Sequence, residues 1–447
     1  MRILGVLCIN LVLLTGLASA VMAGTEDSPF TPMANQLGTV SADQVVYPTG
    51  NHHKDVDNVQ AAVDQGGAVL LKATNADGQP TAFEFGNGGG FYITDDVTIF
   101  GERSGSAMTT IRGGLAPVRC FAPVYLAVSG IHFEGPRSCA IYIGASAGAD
   151  LSSNVITGVI GTRFAPKITK GQGIWIVALG GNPYAISGSI VIADNTIEDV
   201  DAVNGYGLAL FCFGAEMTIV GNHISGMNTA GILAVLNTET VCVMDNIIVP
   251  GPEQYPGDYS GGVGIWGAWS LGGDYYFARN NIICENPEAG GIVVMQPYSL
   301  WAPVPEPEVV IERNHVTVHG SWWGGIELVD GVSGAYVGQN RIDGQNAYAI
   351  GVWAMEFPEA PMANNVFQVN DVSRFTANLA QYFLYFSTQN TVVLGNSGTV
   401  LDLGSGNRVT GLTRMRDGVP IGQVIRDAQA MRRALAEVAR VDGIPRP

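Results

Sequence analysis

The stretch Ser189–Leu210, SIVIADNTIEDVDAVNGYGLAL, contains the repeating unit that decides the fold. It consists of a short apolar strand, an Asn195-x-Ile197 motif and a second short strand that begins at Gly207. Strands this short, separated by Asn and Gly, cannot each bury a core alone. They become stable when successive copies stack and share one continuous apolar column.

The Asn-x-apolar motif recurs along the chain at steps of 24 to 35 residues. It begins at Asn195, Asn222, Asn246, Asn281, Asn314, Asn340 and Asn365. We expect these asparagines to lie in a turn, to tolerate a left-handed backbone and to hydrogen-bond to their copies above and below. A leucine-rich horseshoe would need leucines at fixed offsets, and a propeller would need a longer period. The pattern therefore predicts an all-β fold, a single-stranded right-handed parallel β-helix.

Two further stretches agree with this fold. Residues 55–64 have the pattern of an amphipathic capping helix with Asp55 as its N-cap, and residues 66–71 have that of an opening rung. With these motifs the chain resembles the pectate-lyase-like superfamily of right-handed parallel β-helix proteins over residues 55–410. The resemblance implies a solenoid and a polysaccharide-directed protein, but the fold hosts many activities.

The chain divides into four predicted segments. Residues 1–23 have the charged start, apolar run and small-residue end of a secretory signal peptide, with an uncleaved anchor as the alternative. A lead-in segment, 24–54, precedes the β-helix domain at 55–412. Residues 413–447 contain an amphipathic pattern over 421–441, predicted to be a helix that caps or braces the stack or binds a partner. We therefore expect a secreted protein without a membrane span after cleavage.

Charge and composition limit the classes of partner and cofactor that we expect. The chain is 47% hydrophobic and only 14% charged, and its formal charge is -17. A nucleic-acid partner would require clustered Lys and Arg, so we expect none. No CxxC pair and no Cys/His grouping at metal spacing occurs, so we expect neither a metal nor another cofactor. Of the cysteines beyond residue 23, Cys120 and Cys139 are spaced to pair across rungs, whereas small buried hydrophobes are the alternative.

Alternation along the strands predicts which side chains leave the solenoid. Aligning the Gly-led strands gives one inward column and two outward ones. The inward column contains Ile174, Leu208, Ile232, Ile265, Ile292, Ile326 and Ile350. The first outward column contains Trp175, Ala209, Leu233, Trp266, Val293, Glu327 and Gly351, and the second contains Val177, Phe211, Val235, Ala268, Met295, Val329 and Trp353. Because most of these outward side chains are apolar, we expect that this face is either covered by loops or forms a ligand groove.

Aromatic side chains on this face and in its loops are the candidate substrate-binding residues, since Trp and Tyr stack on sugar rings. They are Trp175, Trp266, Trp353, Phe211, Tyr184 and Trp301. Packing of the loops onto the solenoid is the alternative explanation for these rings.

Three carboxylates are candidate catalytic residues: Glu327, Asp330 and Glu356. Glycoside cleavage uses two carboxyl groups roughly 5 to 10 Å apart. The signatures of polygalacturonases, alginate epimerases and calcium-dependent pectate lyases are absent. Two functions therefore stay open. The first is a secreted β-helix protein that binds or processes polysaccharide, as a glycoside hydrolase or polysaccharide lyase; the second is a non-catalytic extracellular or envelope protein for structure or adhesion.

Overall fold

A computed structural model describes most of the chain beyond residue 40. The described residues are 41–104, 106–165, 168–178, 186–202, 204–251, 262–285, 290–296, 307–320, 324–353, 362–395 and 398–415. All of them belong to one compact unit, Val40–Pro447. The predicted signal peptide and C-terminal helix lie outside these residues.

Within the described residues, the chain forms successive coils. Each regular coil passes through three large sheets in turn and adds one parallel strand to each of them. The first sheet consists of Gln44–Val46, Gly67–Leu71, Val97–Gly101, Tyr125–Ser129, Gly148–Ser152, Ile190–Ala193, Met217–Val220, Val241–Met244, Tyr275–Ala278, Val309–Glu312, Tyr336–Gly338, Val366–Gln368, Val392–Leu394 and Arg408–Thr410. The second consists of Phe83–Gly86, Thr110–Gly113, His132–Glu134, Val155–Val159, Thr196–Val200, His223–Met227, Ile247–Val249, Asn281–Cys284, His315–His319, Arg341–Asn346 and Phe375–Ala377. The third consists of Phe91–Ile93, Val118–Phe121, Cys139–Ala145, Ile168–Ala178, Asn204–Cys212, Ala230–Val235, Val263–Ala268, Ile292–Met295, Ile326–Val329, Ile350–Trp353, Tyr382–Leu384, Thr399–Asp402 and Thr413–Arg414, with Thr162–Ala165 antiparallel to Ile168–Ala178. The predicted parallel β-helix is confirmed.

Two short strand pairs lie beside these sheets. Arg103–Ser104 pairs with Ala107–Met108 in antiparallel fashion, and Met362–Ala363 pairs with Thr388–Gln389 in parallel. The last paired strand of the third sheet ends at Arg414, so regular pairing continues two residues beyond the predicted end of the solenoid. Among the described residues, no helix is long and apolar enough to span a membrane.

The predicted inward column is confirmed. Its members pair from rung to rung, as in Ile174↔Leu208 and Ile326↔Ile350, and each is buried in one continuous core. Of the cysteines in the described residues, none is disulfide-bonded, and Cys120, Cys139, Cys212 and Cys284 are buried. These four therefore act as small hydrophobes, as the alternative interpretation held.

The glycines that precede the inward column of the third sheet have a steric role. A Cβ atom at Gly173 would lie 2.6 Å from Cγ2 of Ile197, which belongs to the next Asn-x-Ile motif. The same close approach joins Gly207 to Ile224, Gly231 to Ile248, Gly264 to Ile282, Gly291 to Val316 and Gly325 to Ile342. The two repeating features of the sequence therefore meet in space, and the branched side chain of the motif leaves room only for glycine in the neighbouring strand.

The asparagines form a buried ladder whose side chains hydrogen-bond from one coil to the next at 2.9 to 3.1 Å. Its members are Asn154, Asn195, Asn222, Asn246, Asn280, Asn314, Asn340 and Asn370. The assignment of Asn281 and Asn365 to this ladder was wrong. In Asn280-Asn281-Ile282 the first asparagine occupies the turn, and Asn281 lies in the strand opposite His315. Asn365 lies in a different turn, where it accepts from Ala335 N at 2.9 Å.

The left-handed residue of each turn also differs from the prediction. It is the residue before the ladder asparagine: φ is 54° at Asp194, 56° at Asp245 and 55° at Arg279. The left-handed residue turns the chain, and the asparagine that follows can then point inward along the stack.

The capping helix is His52–Val63, and its N-cap is Asn51, whose side chain accepts from His53 N and Lys54 N at 3.2 Å. The prediction that Asp55 caps the helix was wrong. Asp55 is fully buried, and its carboxylate accepts from Thr49 N and Oγ1 at 2.7 Å and from Glu84 N at 2.8 Å. The carboxylate thus ties the helix to the segment before it and to the first strand of the second sheet.

Candidate functional site

The outer face of the third sheet presents the two predicted outward columns. Strand pairing confirms their order, from Trp175↔Ala209 to Glu327↔Gly351 in one and from Val177↔Phe211 to Val329↔Trp353 in the other. Pairing also extends the first column toward the N-terminus through Tyr142, Arg119 and Tyr92. The face therefore continues for three rungs beyond the part that the sequence identified.

The N-terminal part of this face carries four rings, Tyr92, Phe121, Tyr142 and Trp175, which we call the aromatic stripe. Their successive centroids are 6.3, 5.1 and 5.0 Å apart. Tyr92 is 47% exposed and Phe121 51%, whereas Tyr142 and Trp175 are half-buried. The stripe is therefore a row of rings that is open to solvent at Tyr92 and Phe121 and becomes half-buried at Tyr142 and Trp175.

Arg119 fixes the start of the stripe. Its guanidinium donates from Nη1 to the Tyr92 hydroxyl at 2.9 Å, from Nε to Ala116 O at 2.9 Å and from Nη2 to Gly88 O at 3.2 Å. Gln60 of the capping helix holds the backbone of Tyr92. Its Oε1 accepts from Tyr92 N at 2.7 Å, and its Nε2 donates to Tyr92 O at 2.9 Å. The first ring is therefore held in place before any ligand arrives.

The C-terminal part of the same face is buried. We call it the outer cluster. Its buried members are Tyr206, Ala209, Ala230, Leu233, Val235, Val263, Trp266, Ala268, Val293, Met295, Val329, Tyr348, Trp353, Ala380, Phe383 and Leu401. Trp266 is 7% exposed and Trp353 2%. Within the described part of the chain, Nε1 of Trp175 and of Trp266 are buried without a hydrogen-bond partner.

Glu327 is fully buried beside this cluster. Its carboxylate accepts from Trp353 Nε1 at 3.0 Å, from the Tyr348 hydroxyl at 3.2 Å and from Gly324 N. Burial raises the pKa of Glu327 to about 7, and the three hydrogen bonds act in the opposite direction. A group with this pKa can hold or release a proton near neutral pH.

Of the other two candidate carboxylates, the structure describes the position of Asp330. Asp330 is buried one residue after the strand that carries Glu327, where the backbone takes a φ of 49°. Glu356 lies outside the described residues. The catalytic assignment of the three carboxylates stays a prediction.

The candidate substrate-binding rings fall into three groups. Trp175 belongs to the aromatic stripe, and Phe211 is half-buried at the edge of the outer cluster. Trp266 and Trp353 are buried within that cluster, and Tyr184 and Trp301 lie outside the described residues. Sequence reasoning missed Tyr92, Arg119, Phe121 and Tyr142, because the alignment relied on Gly-led strands and Val118–Phe121 and Cys139–Ala145 do not begin with one. Among the described residues, no three or more His, Cys, Asp and Glu side chains are placed to hold a metal ion.

Comparison with known proteins bears on the fold. The family model described as a right-handed β-helix region matches residues 63–249, which confirms the predicted hand and the resemblance to right-handed parallel β-helix proteins. No curated protein sequence matches the chain.

Among solved structures, the chain is similar to the A-module of the mannuronan C-5 epimerase AlgE4 from Azotobacter vinelandii, at 12% identity over 84% of this chain and 98% of that module, with a TM-score of 0.45. It is also similar to the Dettilon tailspike protein, at 14% identity over 83% of this chain and 68% of that one, with a TM-score of 0.41. The enzymatically active domain of bacteriophage CBA120 tailspike protein 2 aligns at 13% identity over 80% of this chain and 43% of that one, with a TM-score of 0.23.

Proposed function

We propose that this right-handed β-helix protein is secreted and binds polysaccharide along the aromatic stripe of its third sheet. The signal-peptide pattern of residues 1–23 supports secretion. The stripe supports the choice of ligand, since Tyr and Trp rings offer an apolar face to a sugar and a polar edge for its hydroxyls.

The observation that carries the proposal is the exposure of the stripe. Large rings are normally buried, and a contiguous row of exposed rings indicates a binding surface. Tyr92 and Phe121 are about half exposed although they follow one another on neighbouring rungs. Centroid spacings of 5.0 to 6.3 Å along the solenoid are comparable to the length of one pyranose residue in an extended chain. Tyr92, Phe121 and Tyr142, whose planes are tilted by 35° and 41° from one ring to the next, suit consecutive sugar residues, whereas Trp175 stands at 89° to Tyr142.

Charge favours a neutral polysaccharide. The formal charge of -17 opposes a polyanion over the whole surface. Arg119, the cation in the column, already donates to three protein acceptors, so its N–H groups serve mainly to hold the stripe. A polymer rich in carboxylates would find little uncommitted positive charge beside these rings.

Alanine substitution of Phe121 tests the proposal. We expect Phe121→Ala to weaken binding of a neutral polysaccharide by about 1 to 2 kcal/mol, through lost stacking area. Phe386→Ala is the matched control, because Phe386 is also 51% exposed but lies far along the chain from the stripe. Binding is measured by calorimetry against a polysaccharide panel. Equal affinities of wild type and Phe121→Ala, or equal losses in both variants, would contradict the proposal.

Catalysis is the second candidate function, and Glu327 is the observation that favours it. Its pKa of about 7 is in the range of a general acid near neutral pH. Because Glu327 is fully buried and lies five rungs from Trp175, this function requires the outer cluster to open and admit the polysaccharide. Under this proposal Glu327→Gln abolishes the release of reducing ends or of unsaturated products while polysaccharide binding persists. Binding without turnover in the wild-type protein would favour the non-catalytic extracellular or envelope protein instead.

A further inference from the structure

A cavity of about 580 Å³ lies between the capping helix and the glycine-rich turn that follows Phe83–Gly86. This is within the usual size of sites for small ligands, roughly 300 to 1,000 Å³. His52, His53, Val56 and Asp57 line it from the helix, and Phe85 and Asn87 line it from the strand and turn. The sequence suggested only a lead-in segment for the two histidines, but both belong to the first turn of the helix.

The walls of the cavity combine an apolar floor with a polar rim. Phe85 is buried and Val56 is half-buried, whereas His53, Asp57 and Asn87 are exposed. Within the described part of the chain, the side chains of these three polar residues make no hydrogen bond to protein, so their donors and acceptors are available to a ligand. An apolar floor with convergent polar groups is the usual composition of a binding site.

The cavity adjoins the start of the aromatic stripe. The guanidinium of Arg119 donates both to the Tyr92 hydroxyl, on the stripe, and to Gly88 O, on the cavity wall. Gln60 of the capping helix also bonds the backbone of Tyr92. Among the described residues, the strand Phe91–Ile93 that carries Tyr92 is the terminal strand of the third sheet at this end. One guanidinium therefore links the first ring of the stripe to the wall of the cavity.

We infer that this cavity is an additional subsite that binds one neutral pyranose residue of the polysaccharide chain carried by the stripe. The Asp57 carboxylate accepts hydrogen bonds from sugar hydroxyls, and it repels a sugar carboxylate in a protein that already carries a charge of -17. The Asn87 amide supplies a donor on the opposite wall, and the imidazoles of His52 and His53 supply donors on the same wall as Asp57. The inference rests on the proposed function, because the sugar residue bound in the cavity belongs to the same polysaccharide chain as the sugar residues bound on the stripe.

Affinity as a function of oligosaccharide length tests the subsite. The probes are neutral gluco- and manno-oligosaccharides of increasing length, measured by calorimetry on the full chain. We expect a gain of about 10-fold in affinity when the oligomer becomes long enough to extend from the stripe into the cavity. Asp57→Asn and Asn87→Ala should remove that gain and leave the affinity for shorter oligomers unchanged. Asp77→Asn, which changes an exposed carboxylate away from the cavity, should behave as wild type.

The outcomes separate the subsite from the stripe. If Phe121→Ala weakens binding but Asp57→Asn and Asn87→Ala keep the wild-type length dependence, the subsite is refuted and the proposed function stands. If no oligosaccharide binds the wild-type protein, both fail together. Uronate oligomers of the same lengths should show no gain; an equal gain with them would overturn the assignment to a neutral sugar. Both side chains are exposed, so unchanged unfolding midpoints should accompany these variants.

Discussion

The aromatic stripe and the outer cluster lie on one face of one sheet, in the same columns, and yet they differ in exposure. Phe121 in the stripe is 51% exposed, whereas Trp266, three rungs beyond Trp175 in the same column, is 7% exposed. Alternation along a strand decides whether a side chain leaves the solenoid. It does not decide whether that side chain then reaches solvent.

The two regions also use their polar groups differently. In the stripe, Gln60 holds the backbone of Tyr92, and the Arg119 guanidinium donates to the Tyr92 hydroxyl and lies over one face of the ring, 5.3 Å from its centroid. In the outer cluster, the polar groups of Tyr348 and Trp353 turn toward the buried Glu327. The first arrangement prepares a surface for a ligand, and the second connects parts of the protein to one another. We therefore expect the stripe to govern affinity and the outer cluster to govern stability.

The largest expected effect follows from truncating a ring in the outer cluster. Trp266→Ala should lower the free energy of unfolding by about 3 to 5 kcal/mol, because it removes a large buried side chain and leaves a cavity. Phe121→Ala should lower it by about 1 kcal/mol, because about half of its ring is already exposed. Denaturant titration of both variants gives the two values. Similar losses in the two variants would remove the distinction between the regions.

The next effect concerns the pH dependence of stability, which Glu327 should impose on the outer cluster. The carboxyl has a pKa of about 7 in the folded protein, against its usual 4.5, so the folded state binds more protons between these values. The contribution of Glu327 to the free energy of unfolding should therefore be greatest below about pH 4.5. It should fall by up to roughly 3 kcal/mol as the pH rises to 7, and stay constant above that pH. Unfolding midpoints measured across this range give the slope.

Glu327→Gln is the variant that isolates this contribution. It keeps the shape of the side chain but cannot ionise, so the part of the slope due to Glu327 should disappear. Glu198→Gln, which changes a half-buried outward glutamate on the second sheet, should retain the wild-type slope. An unchanged slope in Glu327→Gln would show that this carboxyl does not titrate between pH 4.5 and 7.

Sequence reasoning identified the elements that depend on local repetition. The Asn-x-Ile motif and the Gly-led strand could be recognised because each copy solves the same steric problem, as Gly173 and Ile197 do where they meet. The register could not be fixed where two asparagines adjoin, since Asn280 and Asn281 both fit the motif. The helix start was misplaced for a related reason: Asp55 has the chemistry of an N-cap, but its carboxylate is used by Thr49 and Glu84.

The candidate site could be predicted only in part. Repetition gave the outward columns correctly, and Glu327 was recognised as the carboxylate within them. The degree of burial could not be predicted, because it depends on contacts between segments that have no periodic relation. The stripe escaped notice because it precedes the most regular repeats, although Tyr92 and Tyr142 belong to the same column as Trp175.

The smallest of the three effects concerns the asparagine ladder, which begins at Asn154, on the coil that carries Trp175, and runs on through coils that carry the outer cluster. Asn246→Ala should cost about 1 to 3 kcal/mol in unfolding free energy, because Asn246 Oδ1 accepts from Asn222 N and Nδ2 at 2.9 Å. Asn222 Nδ2 keeps the carbonyls of Ile192 and Val220, but Asn222 N would lose its acceptor while it is buried. Asn281→Ala is the matched control on the next coil. The buried Oδ1 of Asn281 makes no hydrogen bond within the described residues, so its removal should change stability by about 0.5 kcal/mol or less. Equal losses in the two variants would mean that the ladder does not distinguish Asn280 from Asn281, and the register assigned to that coil would have to be abandoned.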